Sequence, residues 1–357
     1  MALRAVHVLN VPSLHQVTEN AALAFHSSRL AQGVKDEGEE TKCGYEWPKF
    51  MVVGHRGSGM NMLQSYDTRL KCIKENSILS FNSAAKFPID FVEFDVQVTK
   101  DDYPVIFHDN FIGAEDKGVF KEQRVTDITL LEFLSYGPQK EAGKVIHSHI
   151  QVERPMLRKI KDGRIFEWKV EKDDSLCTLQ EVFEKVEHSK GFNIELKFDD
   201  QIVYKEEKLE HVLRVILQVV NKFAKDRPIL FSSFQPDAAV LMRKLQSTYP
   251  VYFLTNGGSE IYADVRRNST EEAIKVCLGG GLQGIVSEVK AIFRNPGAVT
   301  RIKEAKLGII TYGQLNNVAE AVYMQILMGV EGVIVDLVPE ITEAELELAF
   351  LVELMPE

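Results

Sequence analysis

Two carboxylates and a histidine in the stretch FVEFDVQVTKDDYPVIFHD, residues 91–109, have the types and the spacing to do chemistry. Side chains alternate between the faces of a β-strand, so Glu93 and Asp95 point to the same side. The other face carries only apolar side chains, which suits packing against helices. The stretch after Asp95 predicts a hairpin that folds back from this strand and ends at His108.

More reactive groups follow two other apolar runs of the sequence. His55 and Arg56 come directly after FMVVG, and Glu195 and Lys197 stand at the end of GFNIEL. Three strand ends are therefore polar. If the strands are neighbours, their polar residues form one cluster.

Three carboxylates in such a cluster require compensating charge. Two unit charges about 4 Å apart repel by roughly 4 kcal/mol at an effective dielectric of 20, enough to shift a pKa strongly or to demand a counter-ion. The sequence therefore predicts that Glu93, Asp95 and Glu195 bind one divalent cation. Oxygen ligands without nearby thiolates disfavour zinc and leave Mg²⁺ or Ca²⁺. An intracellular setting, where magnesium is abundant, slightly favours Mg²⁺.

The remaining groups fit the cleavage of a phosphodiester. The imidazoles of His55 and His108 can take or give a proton near neutral pH. The cationic side chains of Arg56 and Lys197 can hold phosphate oxygens. Such a reaction needs an activated attacking oxygen, a neutralised phosphorus centre and a protonated leaving alcohol.

Each of these residues also has a purely structural interpretation. His55 can be a hydrogen-bonded histidine inside a barrel. Arg56 and Lys197 can be salt-bridge partners of the acids. Glu93 and its neighbour Asp95 can form an ion-pair layer, and Glu195 can be exposed to solvent.

The elements that must position these residues are short apolar runs, most of them separated by helix-like stretches. Eight strands that are mostly too apolar to have a wet face predict a (β/α)₈ TIM barrel rather than an open doubly wound sheet. Active sites of such barrels lie at the carboxyl ends of the strands, where the polar residues fall here. The predicted strands are 50–54, 91–98, 191–196, 228–234, 250–255, 282–287, 307–312 and 331–337.

Composition limits the partners and the location of the 357-residue chain. Its net charge of −10 argues against nucleic acid as a main partner. No run approaches the roughly 20 apolar residues of a transmembrane segment, and the four cysteines are scattered as in a reduced protein. These features favour a cytoplasmic protein, and they leave its oligomeric state open.

The domain pattern has three parts. Residues 1–46 are predicted to be a flexible arm; a plastid location is the alternative if this arm is a transit peptide. Residues 47–357 form the barrel domain, in which about 110–176 breaks the alternation of strands and helices and predicts an insertion after the second strand. The last helix is expected to begin at Thr342, with a capping box to Glu345.

Seven motifs occur in an order that resembles the glycerophosphodiester phosphodiesterase family, from about Met51 to Asp336. They are GHRGSG, KENSILSF, VEFDVQVTKDDYPVIFHD, TLQEVF, FNIELK, FSSF and GVIVD, and the GHRGSGMN form resembles the intracellular eukaryotic branch that includes plants and fungi. The resemblance implies metal-dependent hydrolysis of small glycerophosphodiesters, such as glycerophosphocholine, to sn-glycerol 3-phosphate and an alcohol. The family's residues fall on His55 and His108 for acid–base catalysis, on Glu93, Asp95 and Glu195 for the metal, on Arg56 and Lys197 for the phosphate, and on Glu75 and Asn76 as a supporting pair at the site edge.

Two other functions remain open at this point. A phospholipase-D-like lyase would use the same barrel, histidines and metal but would release a cyclic phosphate. A non-catalytic binding protein on the same barrel would be expected to have lost a histidine or a metal ligand, and none is missing. Head-group preference is open too, because TYGQLN stands where many members carry a tryptophan, which makes Tyr312 a candidate aromatic wall.

Overall fold

Eight parallel strands close into a barrel in the computed structural model of the protein, which describes residues 48, 50–138 and 155–344. Strands β1, β2 and β8 to β13 form the barrel, and β1 closes it by pairing with both β13 and β2. This confirms the predicted (β/α)₈ TIM barrel. In chain order the strands are β1 (Met51–Gly54), β2 (Phe91–Val98), β3 (Pro104–Ile106), β4 (Phe111–Asp116), β5 (Val119–Arg124), β6 (Met156–Lys159), β7 (Ile165–Glu167), β8 (Gly191–Leu196), β9 (Ile229–Ser233), β10 (Val251–Thr255), β11 (Gly284–Glu288), β12 (Gly308–Tyr312) and β13 (Gly332–Val335).

Helices cover the outer face of the barrel strands. The apolar face of β2 packs there as predicted: Phe94 lies 5.4 Å from Phe81 and 5.1 Å from Phe192, measured between ring centroids. These residues belong to the largest hydrophobic cluster of the described residues. The helices are α1 (Ile78–Ala84), α2 (Leu130–Phe133), α3 (Leu179–Lys185), α4 (Glu206–Phe223), α5 (Pro236–Leu245), α6 (Thr270–Gly280), α7 (Val289–Arg294), α8 (Gly297–Glu304) and α9 (Ala319–Met328).

A second cluster fills the barrel interior with one or two side chains from most of the strands, among them Val53, Phe91 and Leu230. Phe91 is the large member of this cluster, and Gly191 of β8 faces it. A Cβ atom at Gly191 would lie 2.4 Å from the Phe91 ring. The barrel therefore accommodates an aromatic side chain because the neighbouring strand has none.

A separate antiparallel sheet lies in the segment 110–176. Its strand order is β5–β4–β6–β7, and it packs on its own cluster around Phe107, Phe133 and Trp168. Arg124 at the end of this sheet pairs with Asp199, which follows β8 of the barrel. Residues 139–154 of this segment and the predicted arm 1–46 lie outside the described residues.

The predicted start of the last helix was wrong. Residues 338–344 are already helical, and the Thr342 hydroxyl donates to the Val338 carbonyl at 2.8 Å instead of capping the helix. A threonine inside a helix commonly bonds back in this way. Glu345 lies outside the described residues, and within them no helix is long and apolar enough to cross a membrane.

Gly191→Ala should lower the free energy of unfolding by about 1–3 kcal/mol, because overpacking against the fixed Phe91 ring forces a shift of the strands. Urea unfolding of the purified variant measures this. Gly279→Ala in α6 is the matched control, since a Cβ there meets nothing within 4 Å; it should leave stability unchanged or raise it slightly. Equal stability of both variants would contradict the role given to Gly191.

Candidate active site

The reactive side chains predicted from the sequence converge around one cavity of about 850 Å³ at the carboxyl end of the barrel. His55 follows β1 directly, and its backbone N–H donates to the Val335 carbonyl at 2.9 Å. The hairpin of β2 and β3 brings His108 back to the same end. The cavity is lined by His55, Arg56, Glu93, His108, Glu195 and Lys197, among others.

Three carboxylates meet at this cavity: Glu93 and Glu195 line it, and Asp95 lies beside them outside the lining. Oxygen atoms of Glu93, Asp95 and Glu195 all lie within 4.8 Å of one another. Glu93 Oε1 and Asp95 Oδ1 are buried, and neither makes a hydrogen bond within the described part of the chain. Buried carboxylate oxygens without hydrogen bonds are costly in a protein interior, so this donor set fits a hard divalent cation.

The pKa values of these acids reflect the crowding. Burial, followed by repulsion from Asp95, raises the pKa of Glu93 to about 8. Burial also raises the pKa of Glu195 above its usual value. For Asp95 the effect of burial is outweighed by nearby cationic groups, so its pKa lies below its usual value.

Two cationic side chains, Arg56 and Lys197, form ion pairs with acidic residues, as expected if they were salt-bridge partners. Lys197 Nζ lies 2.7 Å from Glu195 Oε1 and 3.5 Å from Asp95 Oδ1. Arg56 Nη1 lies 2.8 Å from Glu75 Oε1, and Arg56 Nε lies 3.4 Å from Asp95 Oδ2. Both cations also line the cavity, so these ion pairs do not exclude contact with a ligand.

Arg56 and Asn76 adopt φ values of 49° and 54°, a left-handed conformation that is uncommon outside glycine. Surrounding bonds hold this backbone. The Arg56 N–H donates to Glu93 Oε2 at 2.8 Å, and the Arg56 carbonyl accepts from Asn76 N at 3.1 Å. Backbone strain of this kind concentrates at functional sites.

Glu75 and Asn76 lie beneath the site rather than in the cavity lining. The Asn76 side-chain amide donates to Asp95 Oδ2 at 2.8 Å. Glu75 is 3% exposed and is shared between Arg56 and Arg158. The two residues therefore contact the metal-ligand candidate Asp95 and the cation Arg56 from below.

Each histidine is held by a carboxylate through its Nδ1 atom. His55 Nδ1 lies 2.7 Å from Asp336 Oδ1, and His108 Nδ1 lies 2.7 Å from Asp109 Oδ1. Burial lowers the pKa of His55, but Asp336 outweighs it and the pKa is raised. Burial, with Arg56 and Lys197, lowers the pKa of His108 to about 4.

Sequence reasoning assigned no role to Asp109, Asp336 and Arg158. The sequence does contain a signal for the two aspartates. Asp109 directly follows His108, and Asp336 ends the motif GVIVD. Arg158 had none: it lies on β6 of the additional sheet, about fifty residues from the histidine that it approaches.

The outer part of the cavity is aromatic and lies between two structural units. Tyr312 ends β12 and Phe234 follows β9. Their rings meet edge to face at 5.9 Å, and the Tyr312 hydroxyl donates to Asn256. The additional sheet contributes Phe111 and Leu157 on the other side. Tyr312 thus lies in the wall where an aromatic residue was expected.

Residues 55–340 match the model of the glycerophosphoryl diester phosphodiesterase family. Similar proteins include glycerophosphodiester phosphodiesterase GDPD2 of Arabidopsis thaliana, 60% identical over 344 residues, which cover 96% of this chain and 87% of that protein. The chloroplastic GDPD1 of the same plant is 57% identical over 380 residues, which cover 100% of this chain and 99% of that protein.

Among solved structures, the fold resembles a phosphodiesterase of Oleispira antarctica in complex with the product sn-glycerol-3-phosphate. The TM-score is 0.56 at 20% identity, and the match covers 83% of this chain and 96% of that one. At this identity the similarity supports the barrel fold alone.

Glu75→Gln should lower the free energy of unfolding by about 3 kcal/mol, because it removes the charge that two buried arginines share. Denaturant unfolding is the measurement. Glu210→Gln is the control, since its pair with Arg214 is exposed on α4 and should contribute less than about 0.5 kcal/mol. A loss as small as that of the control would show that the buried contacts of Glu75 are dispensable.

Proposed function

Because this chain belongs to the glycerophosphodiester phosphodiesterase family and is an enzyme of that class, we propose that it hydrolyses glycerophosphodiesters to sn-glycerol 3-phosphate and an alcohol. One observation carries the proposal. Two carboxylate-held histidines and three crowded carboxylates surround a single cavity. A barrel that only bound its ligand would not need two proton carriers at one centre.

Glu93, Asp95 and Glu195 would hold one divalent cation, with Mg²⁺ favoured and Ca²⁺ as the alternative. The support is the donor set itself, in which one oxygen each of Glu93 and Asp95 is buried without a hydrogen bond among the described residues. When bound, the cation supplies charge neutralisation for the phosphate oxygens. The hydrogen bond from Asn76 and the contact with Lys197 orient Asp95 for this role.

The residues of the chain divide the remaining work. His108, neutral at physiological pH, takes a proton from the attacking water through Nε2. His55, whose charged form is stabilised by Asp336, gives a proton to the oxygen of the leaving alcohol. The phosphorus–oxygen bond to the head group breaks as the new one forms, while Arg56 and Lys197 hold the other phosphate oxygens.

The first test is release of sn-glycerol 3-phosphate, followed with a coupled enzyme, from glycerophosphocholine, glycerophosphoethanolamine and glycerophosphoinositol. EDTA should abolish turnover, and Mg²⁺ or Ca²⁺ should restore it. Glu195→Gln should weaken cation binding, measured by calorimetry, at least about tenfold, because even the loss of a group that only supports a metal ligand costs that much. Glu210→Gln should leave cation binding unchanged. A cyclic phosphate as the final product would favour the lyase instead.

His55→Ala and His108→Ala should each lower kcat by at least about 100-fold on glycerophosphocholine. On a glycerophosphodiester with a 4-nitrophenol leaving group, His55→Ala should regain much of this loss, because that leaving group needs no proton. His108→Ala should not regain it. Recovery in the His108 variant alone would reverse the assignment of donor and acceptor.

For the location of the protein, one relative supports the plastid alternative. The chloroplastic relative aligns with the whole of this chain, including residues 1–46. This alignment supports a plastid location over the cytoplasmic one expected from composition.

A further inference from the structure

Arg158 connects the additional sheet to the reacting end of the barrel. It lies on β6, and its side chain is 10% exposed. Arg158 Nε and Nη2 donate to the two carboxylate oxygens of Asp109, both at 2.7 Å. Arg158 Nη2 also lies 3.2 Å from Glu75 Oε1. This two-pronged geometry fixes the plane of the Asp109 carboxylate, which a single point charge would not do.

Asp109 transmits that orientation to His108. Its Oδ1 atom lies 2.7 Å from His108 Nδ1. A carboxylate that receives two N–H bonds from an arginine stays ionised and can only accept, so His108 Nδ1 must carry the proton. The Nε2 atom is then the basic nitrogen of this histidine.

The guanidinium of Arg158 is itself held in place. Its central carbon lies 4.3 Å from the centroid of the Trp168 ring, and Arg158 Nη1 donates to the Asn61 carbonyl at 3.2 Å. Trp168 Nε1 donates to Asn61 Oδ1 at 3.0 Å. The arginine therefore has a rigid support made from both the barrel loop after β1 and the additional sheet.

The other histidine is held differently. Asp336, the partner of His55, accepts from Met60 N at 2.9 Å and from the Asn317 side chain at 2.9 Å. Both donors belong to loops of the barrel. The described contacts thus place the support of His55 within the barrel and that of His108 on the additional sheet.

We propose that Arg158 is a positioning residue for catalysis, which fixes the tautomer and the direction of His108 through the Asp109 carboxylate. The additional sheet then has a part in the chemical step besides lining the outer cavity. The inference rests on the proposed role of His108 in proton transfer. It adds a residue that acts on His108 through the carboxylate of Asp109.

The test compares Arg158→Lys with Arg124→Lys in the Mg²⁺-loaded protein. Arg158→Lys keeps the buried charge but loses the two-pronged contact with Asp109. Arg124→Lys makes the same change in another ion pair between this sheet and the barrel, which involves Asp199. We expect Arg158→Lys to lower kcat by about 10- to 100-fold, the usual cost of losing a group that orients a reactive side chain, with KM changed less than about threefold. Arg124→Lys should retain the wild-type kcat.

A spectroscopic signature separates positioning from a general loss of structure. With ¹⁵N-labelled histidine, the His108 resonances, assigned by comparison with His108→Gln, should report a protonated Nδ1 in the wild type and in Arg124→Lys. In Arg158→Lys this signal should weaken or divide between two tautomers. Because this readout needs no turnover, it remains informative if wild-type protein releases no glycerol 3-phosphate, a result that would count against the proposed function alone.

A double-mutant cycle completes the test. Asp109→Asn should lower kcat at least as much as Arg158→Lys, and the double variant should lose no more than Asp109→Asn, because both changes break one chain of contacts. Wild-type kcat in Arg158→Lys would overturn the proposal. Additive losses, or equal losses in both lysine variants with an unchanged His108 signal, would overturn it as well.

Discussion

The crowding of three carboxylates, two of them buried, is the constraint on which the rest of the site depends. Glu93, Asp95 and Glu195 meet within 4.8 Å, and neighbouring side chains balance only part of their charge. Lys197 and Arg56 contact the acids directly, yet the pKa of Glu93 still rises to about 8. The proposed divalent cation would supply the missing positive charge, and the site would then suit an anionic phosphodiester.

A ring of supporting contacts surrounds this centre. The strained backbone at Arg56 and Asn76 places one N–H on Glu93 and one amide on Asp95. Glu75 lies below and balances Arg56. Such contacts fix rotamers before a ligand arrives, so less reorganisation is needed at the moment of reaction. The additional sheet joins this ring through Arg158, which contacts Asp109 and Glu75, and it also lines the outer cavity.

The sequence was sufficient for the barrel and for most of the reactive groups. Alternation in FVEFDVQV put Glu93 and Asp95 on one face because a strand has a fixed period of two. His55 and Lys197 were found because each ends an apolar run, and parallel strands bring such ends together. The start of the last helix was misplaced at Thr342, since a threonine that caps a helix and one that bonds back inside it have the same local sequence.

What the sequence determined by itself is therefore local and periodic: which segments are strands, which faces are apolar, and which strand ends carry acids, bases and cations. Tertiary structure alone decided the partners of those groups. Asp336 reaches His55 because β13 closes the barrel against β1, and Arg158 reaches Asp109 because a separate sheet folds over the mouth. Contacts between residues far apart in the chain depend on the packing of whole elements, and no spacing within one element encodes them.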